Sequence, residues 1–232
     1  GLHRQRRCKM KAVLFDLDGI ITDTAKFHFL AWRELGASLG IEVDEKFNEK
    51  LKGVSRLDSL EAILEKGGIS ADYSLAEKEA LCVKKNAHYL ILIQEMTSDD
   101  ILPGILPLLK ELREMNIKAV VTSASKNAPG ILELLHVRDY FEGIVDPATI
   151  ATGKPAPDIF LEGAKLANIQ PDDCVGIEDA ALGVEAIKAA NITAVAVGDA
   201  GVLGLADRVL PNTADLSLAI LQETWVEEKA NS

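Results

Sequence analysis

Two aspartates, Asp16 and Asp18, stand one residue apart directly after the apolar run Ala12–Phe15. A short apolar run between polar neighbours predicts a buried strand, and the carboxyl end of such a strand is where open parallel sheets bind ligands. Side chains at i and i+2 of a strand project to the same side. Two like charges this close repel each other unless a cation, a proton or a transferring phosphoryl group offsets the repulsion. The pair therefore predicts chemistry, although an isolated pair of aspartates is also common in solvated loops.

A second polar segment, residues 122–127, ends a predicted strand and opens a helix with Pro129 in its first turn, where proline is tolerated. A hydroxyl beside free backbone N–H groups at a helix N-terminus forms a natural cradle for phosphate. Ser123 is therefore a candidate phosphate ligand. The alternative is that Ser123 or Ser125 only caps the helix.

Lys154 begins a loop that Pro155 and Pro157 make rigid, and Asp158 is expected to cap the helix that follows. A lysine held in one place is suited to neutralise a transferring phosphoryl group. The alternative is an ordinary solvated surface lysine. The Lys154–Pro155 bond is a candidate for the cis form.

Glu178 and Asp179 follow a further apolar run, and adjacent acids of this kind usually form a solvated turn. At the end of a core strand, however, they would join Asp16 and Asp18 in a cluster of four carboxylates at one edge of a sheet. Carboxylate oxygens with open coordination positions suit Mg²⁺. The sequence therefore favours a magnesium site at this edge.

The elements that must position these residues alternate between strands and helices. Apolar runs predict strands at residues 12–15, 117–122, 144–145, 174–177, 193–197 and 208–210. Helical spacing predicts helices at residues 106–115, 132–135, 159–167, 182–190 and 214–225. Strands that alternate with helices imply a parallel sheet with right-handed crossovers. The predicted fold class is α/β, with a doubly wound, Rossmann-like parallel-sheet core.

Residues 24–102 interrupt this alternation, because they are predicted to be helical throughout, with one helix over roughly residues 75–96. They are interpreted as a helical cap domain inserted after the first strand and placed over the carboxyl edge of the sheet. The expected core domain then comprises residues 10–23 and 103–232.

The composition argues against several classes of partner for this chain. The chain has 232 residues, 48% of them hydrophobic, and a formal net charge of −11, which argues against nucleic acid or an anionic membrane as a bulk partner. No apolar stretch approaches the roughly 18 residues of a membrane span. Cys8, Cys82 and Cys174 are widely spaced, which suggests a reducing cytoplasm and no disulfide framework. Residues 1–7 lack the apolar run of a secretory signal, and Met10 is a candidate natural start.

Taken as a whole, the segment Phe15–Thr24 resembles the signature of the haloacid-dehalogenase-like phosphotransferases. Residues 122–127, Lys154–Asp158 and Gly176–Asp179 are similar to the second, third and fourth motifs of that family and occur in the same order. Four motifs in the expected order make coincidence improbable. The sequence is therefore identified as a member of this family.

The resemblance implies a role for each core residue. Asp16 is the nucleophile that becomes phosphorylated, and Asp18 is the general acid and base. Ser123 and Lys154 contact the transferring phosphoryl group. The implied Mg²⁺ ligands are Asp16, the main-chain oxygen of Asp18, Glu178 and Asp179.

Arg56 is the arginine of the inserted segment that is suited to bidentate phosphate binding, although a surface ion pair is a common alternative for arginine. The residues around it, 52–59, resemble the cap loop of the family members that isomerise glucose phosphates, where this loop grips the phosphate that is not transferred. The resemblance also assigns Thr24 and His28 to a hinge that tunes Asp18, whereas His28 alone would more often be a packed or capping histidine. The implied substrate-binding residues are Trp32, Lys52, Gly53, Val54, Ser55, Arg56, Lys85, Ala124, Ser125, Lys126 and Asn127.

The resemblance implies a phosphomutase that interconverts β-D-glucose 1-phosphate and D-glucose 6-phosphate through an aspartyl-phosphate enzyme. Glucose 1,6-bisphosphate is the implied activator and intermediate, the partner is a small sugar phosphate, and we expect a monomer. A sugar-phosphate phosphatase of the same fold is the main alternative, because the core motifs do not select the acceptor. A non-catalytic relative would have lost Asp16, Lys154 or Asp179, and a cofactor-free dehalogenase would not need a metal site.

Overall fold

The structure is a computed structural model that describes residues 9–51 and 55–232. Cys8 and three of the predicted substrate-binding residues, Lys52, Gly53 and Val54, lie outside the described residues. The chain divides into two compact units. The first comprises the chain up to Asp23 together with Thr97–Ser232, and the second comprises Thr24–Met96.

The described residues form strands and helices that are numbered here along the chain. The strands are β1 (Ala12–Phe15), β2 (Lys118–Val121), β3 (Gly143–Ile144), β4 (Cys174–Glu178), β5 (Thr193–Val197) and β6 (Arg208–Leu210). The α-helices are α1 (Ala25–Ser38), α2 (Glu45–Asn48), α3 (Arg56–Lys66), α4 (Leu75–Ile93), α5 (Ile105–Glu114), α6 (Ala128–Leu134), α7 (Asp158–Ala167), α8 (Ala181–Ala189), α9 (Ala200–Leu203) and α10 (Leu218–Ala230). Within this part of the chain, none of the helices is both long and apolar enough to cross a membrane.

The first unit is built on a parallel sheet of six strands in the order β3-β2-β1-β4-β5-β6. The predicted α/β fold class with a doubly wound parallel sheet is confirmed. Every residue of β1 is fully buried, which is expected for a strand at the centre of a sheet whose two faces are covered by helices. Because β1 is central, the residues that follow it lie in the middle of the carboxyl edge.

The last helix was predicted over residues 214–225, but it begins at Leu218 and ends at Ala230. Residues 213–215 form a separate 3₁₀ turn. The reason is local capping: the Ser217 hydroxyl accepts a hydrogen bond from the Ile220 backbone N–H at 3.2 Å and so starts a new helix. Apolar spacing alone does not distinguish the turn from the helix.

Asp158 was predicted to cap α7, but Pro157 occupies the N-cap position and Asp158 is the first residue of the helix, without a side-chain cap at that end. The φ angle of Pro157 is −75°, close to the helical value, so the proline itself leads into the helix. The acidic side chain still lies in the first turn, where a negative charge interacts favourably with the helix dipole. Asp158 therefore stabilises the helix start by its charge and not by a capping hydrogen bond.

The second unit has its own apolar core, formed where α1, α3 and α4 pack against one another. Leu60, Ile63 and Leu64 of α3 are fully buried in it. The prediction of helix throughout this segment was too broad, because residues 39–44 form a non-helical connection that turns at Gly40, where φ is +76°. Strands are absent from the described residues of this unit.

The segment that returns to the first unit is fastened to the residues after β1. The Thr22 hydroxyl donates a hydrogen bond of 2.6 Å to the Asp100 carbonyl, and the Leu102 N–H donates one of 2.8 Å to the Ile21 carbonyl. These bonds explain why residues 97–102, which the sequence analysis placed in the inserted domain, group with the first unit.

Two glycines that both lie within helices of the first unit provide a packing test. A Cβ atom at Gly163 of α7 would lie 2.7 Å from the Thr122 Cγ2 methyl, whereas one at Gly130 of α6 would meet no atom within 4 Å. We expect Gly163→Ala to lower the free energy of unfolding by roughly 1–3 kcal/mol through overpacking. Gly130→Ala should raise it by about 0.5–1 kcal/mol through helix propensity. Urea unfolding followed by circular dichroism measures both; equal changes would contradict this view of the core.

Candidate active site

The register of the sheet brings the residues after β1 and β4 together at the carboxyl edge. Phe15 is paired with Ile177 on one side and with Val121 on the other. The Asp16 N–H donates a hydrogen bond of 3.1 Å to the Ile177 carbonyl. Asp16 therefore lies beside Glu178, the last residue of β4.

Lys154 connects these two carboxylates. Its Nζ lies 3.3 Å from Asp16 Oδ1 and 2.8 Å from Glu178 Oε2. Glu178 is 1% exposed and Asp16 is 8% exposed, so the carboxylates are largely withdrawn from water and depend on a cation for compensation. The Lys154–Pro155 peptide bond is cis.

The second carboxylate oxygen of Glu178 accepts hydrogen bonds from the backbone N–H groups of Asp179 and Ala180, at 3.2 and 3.4 Å. These contacts hold the Glu178 side chain in one orientation. The glutamate is thus the best-satisfied carboxylate of the cluster, with a lysine on one oxygen and two backbone donors on the other.

Burial and crowding perturb the ionisation of the cluster. Burial first, and the Glu178 carboxylate second, raise the pKa of Asp16 well above its ordinary value of 3.8. Partial desolvation and the Asp16 carboxylate raise the pKa of Asp179 to about 7. Burial lowers the pKa of Lys154, but the Asp16 and Glu178 carboxylates outweigh that effect and raise it above 10.5. The lysine stays charged, and the raised pKa values of Asp16 and Asp179 indicate that a proton or a further cation must offset the remaining carboxylate repulsion.

The carboxylates of Asp16, Glu178 and Asp179 each offer an oxygen within 4.8 Å of the others. Two glycines make this approach possible, because a Cβ at Gly19 would lie 2.0 Å from Asp179 Oδ2 and one at Gly183 would lie 2.0 Å from Glu178 Cδ. Three hard oxygen donors with one lysine among them fit a divalent cation such as Mg²⁺. The residues present therefore fit a metal site.

Asp18 is exposed and lies in the tight turn that follows β1. The turn depends on Gly19, whose φ of +80° is strained for other residues, and it is closed by a hydrogen bond of 2.8 Å from the Gly19 N–H to the Thr22 carbonyl. Asp18 is near enough to Asp179 to contribute to the raised pKa of that residue. The two aspartates of the first motif thus differ in environment, one buried and one exposed.

Ser123 follows β2 and is 4% exposed. Its hydroxyl accepts a hydrogen bond of 3.1 Å from the Ser125 N–H, and the Ser125 hydroxyl accepts one of 3.2 Å from the Asn127 N–H. Asn127, not a serine, is the N-cap residue of α6, so the two serines shape the turn before the helix rather than capping it. Ala124 and Lys126 of the same turn are exposed.

The second unit contains a different cluster, around Lys85 of α4. This lysine is 3% exposed, its Nζ lies 2.7 Å from His28 Nδ1, and it stands over the Trp32 and Tyr89 rings at 4.6 and 5.1 Å from their centroids. Burial and then Arg56 lower the pKa of Lys85 to about 8. Burial, then Lys85 and Arg56, lower the pKa of His28 to about 4. His28 is therefore neutral at pH 7, and its Nδ1 accepts a hydrogen bond from the Lys85 ammonium group.

Tyr89 was not among the predicted site residues. Its ring stacks on the His28 ring with centroids 3.8 Å apart and planes 7° apart. The signal that could have found it is its spacing, because Tyr89 lies four residues after Lys85 on one helix, just as Trp32 lies four residues after His28 on another.

The remaining predicted residues of the second unit lie at helix starts. Thr24 is the N-cap residue of α1, where its side chain makes no cap hydrogen bond. Ser55 caps α3 by accepting a hydrogen bond of 3.2 Å from the Asp58 N–H, and Arg56 is the exposed first residue of that helix. The Cys82 thiol lies 3.7 Å from the Arg56 carbonyl, so the arginine backbone is tied to α4 while its side chain remains in solvent.

Comparisons with known proteins agree with the arrangement in the first unit. A family model described as haloacid dehalogenase-like hydrolase matches residues 10–191. The chain is 50% identical, over 93% of its length and 96% of the relative, to a β-phosphoglucomutase of Bacillus subtilis, strain 168. It is 33% identical, over 80% of its length and 95% of the relative, to a fructose-1-phosphate phosphatase of Escherichia coli, strain K12. A crystal structure of a β-phosphoglucomutase from Clostridium difficile is similar at a TM-score of 0.82, with 45% identity over 95% of this chain and 99% of the other.

The cluster around Lys85 predicts an acid-shifted histidine. We expect the His28 ring to titrate near pH 4, and Lys85→Met should raise that midpoint by removing a neighbouring positive charge, while burial keeps it below 6.5. Two-dimensional ¹H–¹⁵N spectra of the imidazole nitrogens measure the midpoint. Lys84→Met, at the exposed neighbouring position, is the matched control and should leave it unchanged.

The same shift has a consequence for stability. Between pH 6.5 and about 4, the unfolded chain binds a proton at His28 that the folded chain does not, so the free energy of unfolding should fall as the pH drops through this window. His28→Gln should reduce that slope in denaturation curves recorded at several pH values. A slope that is the same in both proteins would contradict the assignment.

Proposed function

Because this chain belongs to the haloacid dehalogenase-like hydrolases, we propose that it acts as a β-phosphoglucomutase that interconverts β-D-glucose 1-phosphate and D-glucose 6-phosphate. The observation that carries the proposal is the likeness over nearly the whole chain, in sequence and in fold, to proteins named for that activity. The carboxylate cluster at the sheet edge supports it, because the cluster has the charge and burial that phosphoryl transfer to an aspartate requires. The proposed metal is Mg²⁺, and glucose 1,6-bisphosphate is the proposed activator and intermediate.

Asp16 is the proposed nucleophile. Lys154, 3.3 Å from Asp16 Oδ1, favours the ionised form that attack on phosphorus needs, against the burial that favours the protonated form. Asp16, Glu178, Asp179 and the main-chain oxygen of Asp18 would hold Mg²⁺, which when bound neutralises charge on the transferring phosphoryl group. Ser123 and Lys154 contact the oxygens of that group.

The reaction needs two phosphoryl transfers and two proton transfers. In the first, the C6 hydroxyl of β-glucose 1-phosphate attacks phosphorylated Asp16, the bond from phosphorus to the aspartyl oxygen breaks, and Asp18 takes the hydroxyl proton. The product is glucose 1,6-bisphosphate. In the second, Asp16 attacks the phosphorus at C1, Asp18 returns its proton to the C1 oxygen, and glucose 6-phosphate leaves. Asp18 therefore alternates between base and acid.

The phosphate that is not transferred requires a second set of contacts. We assign it to Arg56, an exposed arginine suited to bidentate phosphate binding. Ser125, Lys126 and Asn127, in the turn after β2, are proposed to contact the same phosphate. The other proposed substrate contacts are Trp32, Lys52, Gly53, Val54, Ser55, Lys85 and Ala124. Thr24 and His28 are proposed to adjust Asp18 from the start of α1. We further propose a monomer that acts in the reducing cytoplasm.

A sugar-phosphate phosphatase is the second candidate, because a relative named fructose-1-phosphate phosphatase shares a third of its residues with this chain. The same Asp16 and Asp18 would serve, with water in place of the sugar hydroxyl as acceptor. The higher identity to a phosphoglucomutase favours the mutase.

The assay that separates the two activities supplies the protein with Mg²⁺, β-glucose 1-phosphate and a trace of glucose 1,6-bisphosphate. We expect glucose 6-phosphate to form with little inorganic phosphate, measured by a coupled dehydrogenase assay and by a phosphate assay on the same sample. Release of phosphate in proportion to substrate consumed would instead assign the phosphatase. Asp16→Asn is the control that should abolish either activity.

Arg56 provides a test of the second phosphate contact. We expect Arg56→Ala to lower mutase kcat/KM by about ten- to a hundredfold, since a hydrogen bond to a charged group is worth roughly 1.5–3 kcal/mol. Hydrolysis of p-nitrophenyl phosphate, which has no second phosphate, should change by less than about threefold. Arg33→Ala, at another exposed arginine of the second unit, is the matched control. Equal losses on both substrates would count against the assigned role.

A further inference from the structure

Thr22 is a buried residue of the first unit that the mechanism above does not use. Its side chain is 0% exposed, and its hydroxyl donates a hydrogen bond of 2.6 Å to the Asp100 carbonyl, 78 residues further along the chain. Its backbone also forms two isolated bridges, a parallel one with Asp18 and an antiparallel one with Ile101. Thr22 thus lies between the turn that carries Asp18 and the segment that returns from the inserted residues.

On one side, Thr22 closes the turn around Asp18. The Thr22 carbonyl accepts a hydrogen bond of 2.8 Å from the Gly19 N–H, and the Thr22 N–H donates one of 3.2 Å to the Leu17 carbonyl. These bonds fix the backbone immediately before and after Asp18. A displacement of Thr22 would therefore move the Asp18 side chain relative to β1.

On the other side, the acceptor of the Thr22 hydroxyl is itself held. Asp100 ends a 3₁₀ turn with a reciprocal cap, in which its carboxylate accepts a hydrogen bond of 2.9 Å from the Thr97 N–H. The Leu102 N–H donates a hydrogen bond of 2.8 Å to the Ile21 carbonyl, so the strand pairing continues past Thr22. The Asp100 carbonyl is a fixed point to which the Asp18 turn is attached.

We infer that Thr22 is a positioning residue for Asp18, and that its hydroxyl holds the proton-transferring carboxylate in place by anchoring the turn to the Asp100 carbonyl. The inference rests on the proposed function, since it assumes that Asp18 transfers the proton. Misplacement of a catalytic group by about 1 Å costs on the order of a hundredfold in rate. A purely structural role would instead lower stability and affect every reaction of the enzyme alike.

The test compares Thr22→Val, which keeps the shape and removes the donor, with Thr22→Ser, which restores the donor. Thr193→Val is the matched control, because Thr193 is also buried in the same unit and its hydroxyl makes no hydrogen bond with any described residue. We expect Thr22→Val to lower mutase kcat by about ten- to a hundredfold with KM changed by less than about threefold. Thr22→Ser should recover most of the loss, and Thr193→Val should behave as wild type.

One measurement distinguishes a positioning role from a purely structural one. It is the dependence of the Asp16 phosphorylation rate on the leaving group of the phosphoryl donor. Phosphorylation of Asp16 by acetyl phosphate expels acetate, which needs no proton, whereas an alkyl phosphate expels an alkoxide that does. In rapid-quench experiments, the rate at which acetyl phosphate phosphorylates Thr22→Val should lie within about twofold of the wild-type rate. The rate with the alkyl phosphate should fall well below that of wild type. Equal losses with both donors, or no loss with either, would overturn the inference.

Failure of the inference about Thr22 can be distinguished from failure of the proposed function and from misfolding of the variant. If wild type converts no glucose 1-phosphate, the proposed function fails, and the comparison of leaving groups still tests Thr22. If Thr22→Val does not fold, Asp100→Ala takes its place, because it leaves Thr22 intact and loosens the carbonyl that Thr22 binds. The same selective loss is then expected, and an unselective loss would again overturn the inference.

Discussion

The interaction on which the first unit depends is the contact of one ammonium group with two buried carboxylates. Asp16 and Glu178 follow neighbouring strands, so the sheet forces them together, and burial removes the water that would otherwise screen their repulsion. Lys154 lies between them and makes the arrangement tolerable. Asp179 adds a third carboxylate, and an acidic group of this kind suits the proposed divalent cation.

The second unit contains a cluster of basic side chains in place of carboxylates. Lys85, His28 and Arg56 would together carry an excess of positive charge, and the Lys85 side chain is almost fully buried. Here His28 is neutral, because its pKa falls to about 4, whereas Lys85, with a pKa lowered to about 8, keeps its charge at pH 7. The aromatic rings beside the lysine compensate in part through their electron-rich faces. In the first unit a lysine offsets two carboxylates, whereas in the second a neutral histidine and two aromatic rings accommodate a buried lysine.

Much of this architecture was accessible from the sequence, because it depends on short-range patterns. The six strands were located to within a residue or two, since continuous apolar runs between turn residues predict strands covered on both faces. The start of the last helix was missed, because the cap at Ser217 is a local hydrogen bond that apolar spacing does not reveal. Asp158 was misassigned because the preceding proline enters the helix itself.

Contacts between residues far apart in sequence were the least predictable. The Thr22 to Asp100 hydrogen bond joins polar groups whose types and spacing carry no signal. The stacking of Tyr89 on His28 joins two helices whose relative rotation is decided by packing. Lys154 could be recognised in the sequence as part of a motif, but its contacts could not. That its Nζ lies nearer to the Glu178 carboxylate than to the Asp16 carboxylate follows from the fold. The types of the charged side chains are therefore more evident in the sequence than the hydrogen bonds that hold them in place.

The position of β1 at the centre of the sheet has a consequence for how the chain folds. Its partner β2 begins about a hundred residues later, because the second unit lies between them in the sequence. Closing so long a loop in an unstructured chain is entropically costly and slows folding. If the helices of the second unit form first, they shorten the effective loop, and Thr22 and Ile101 already pair at its base. Early folding of the second unit would then offset part of the loop-closure cost that its insertion imposes on the core.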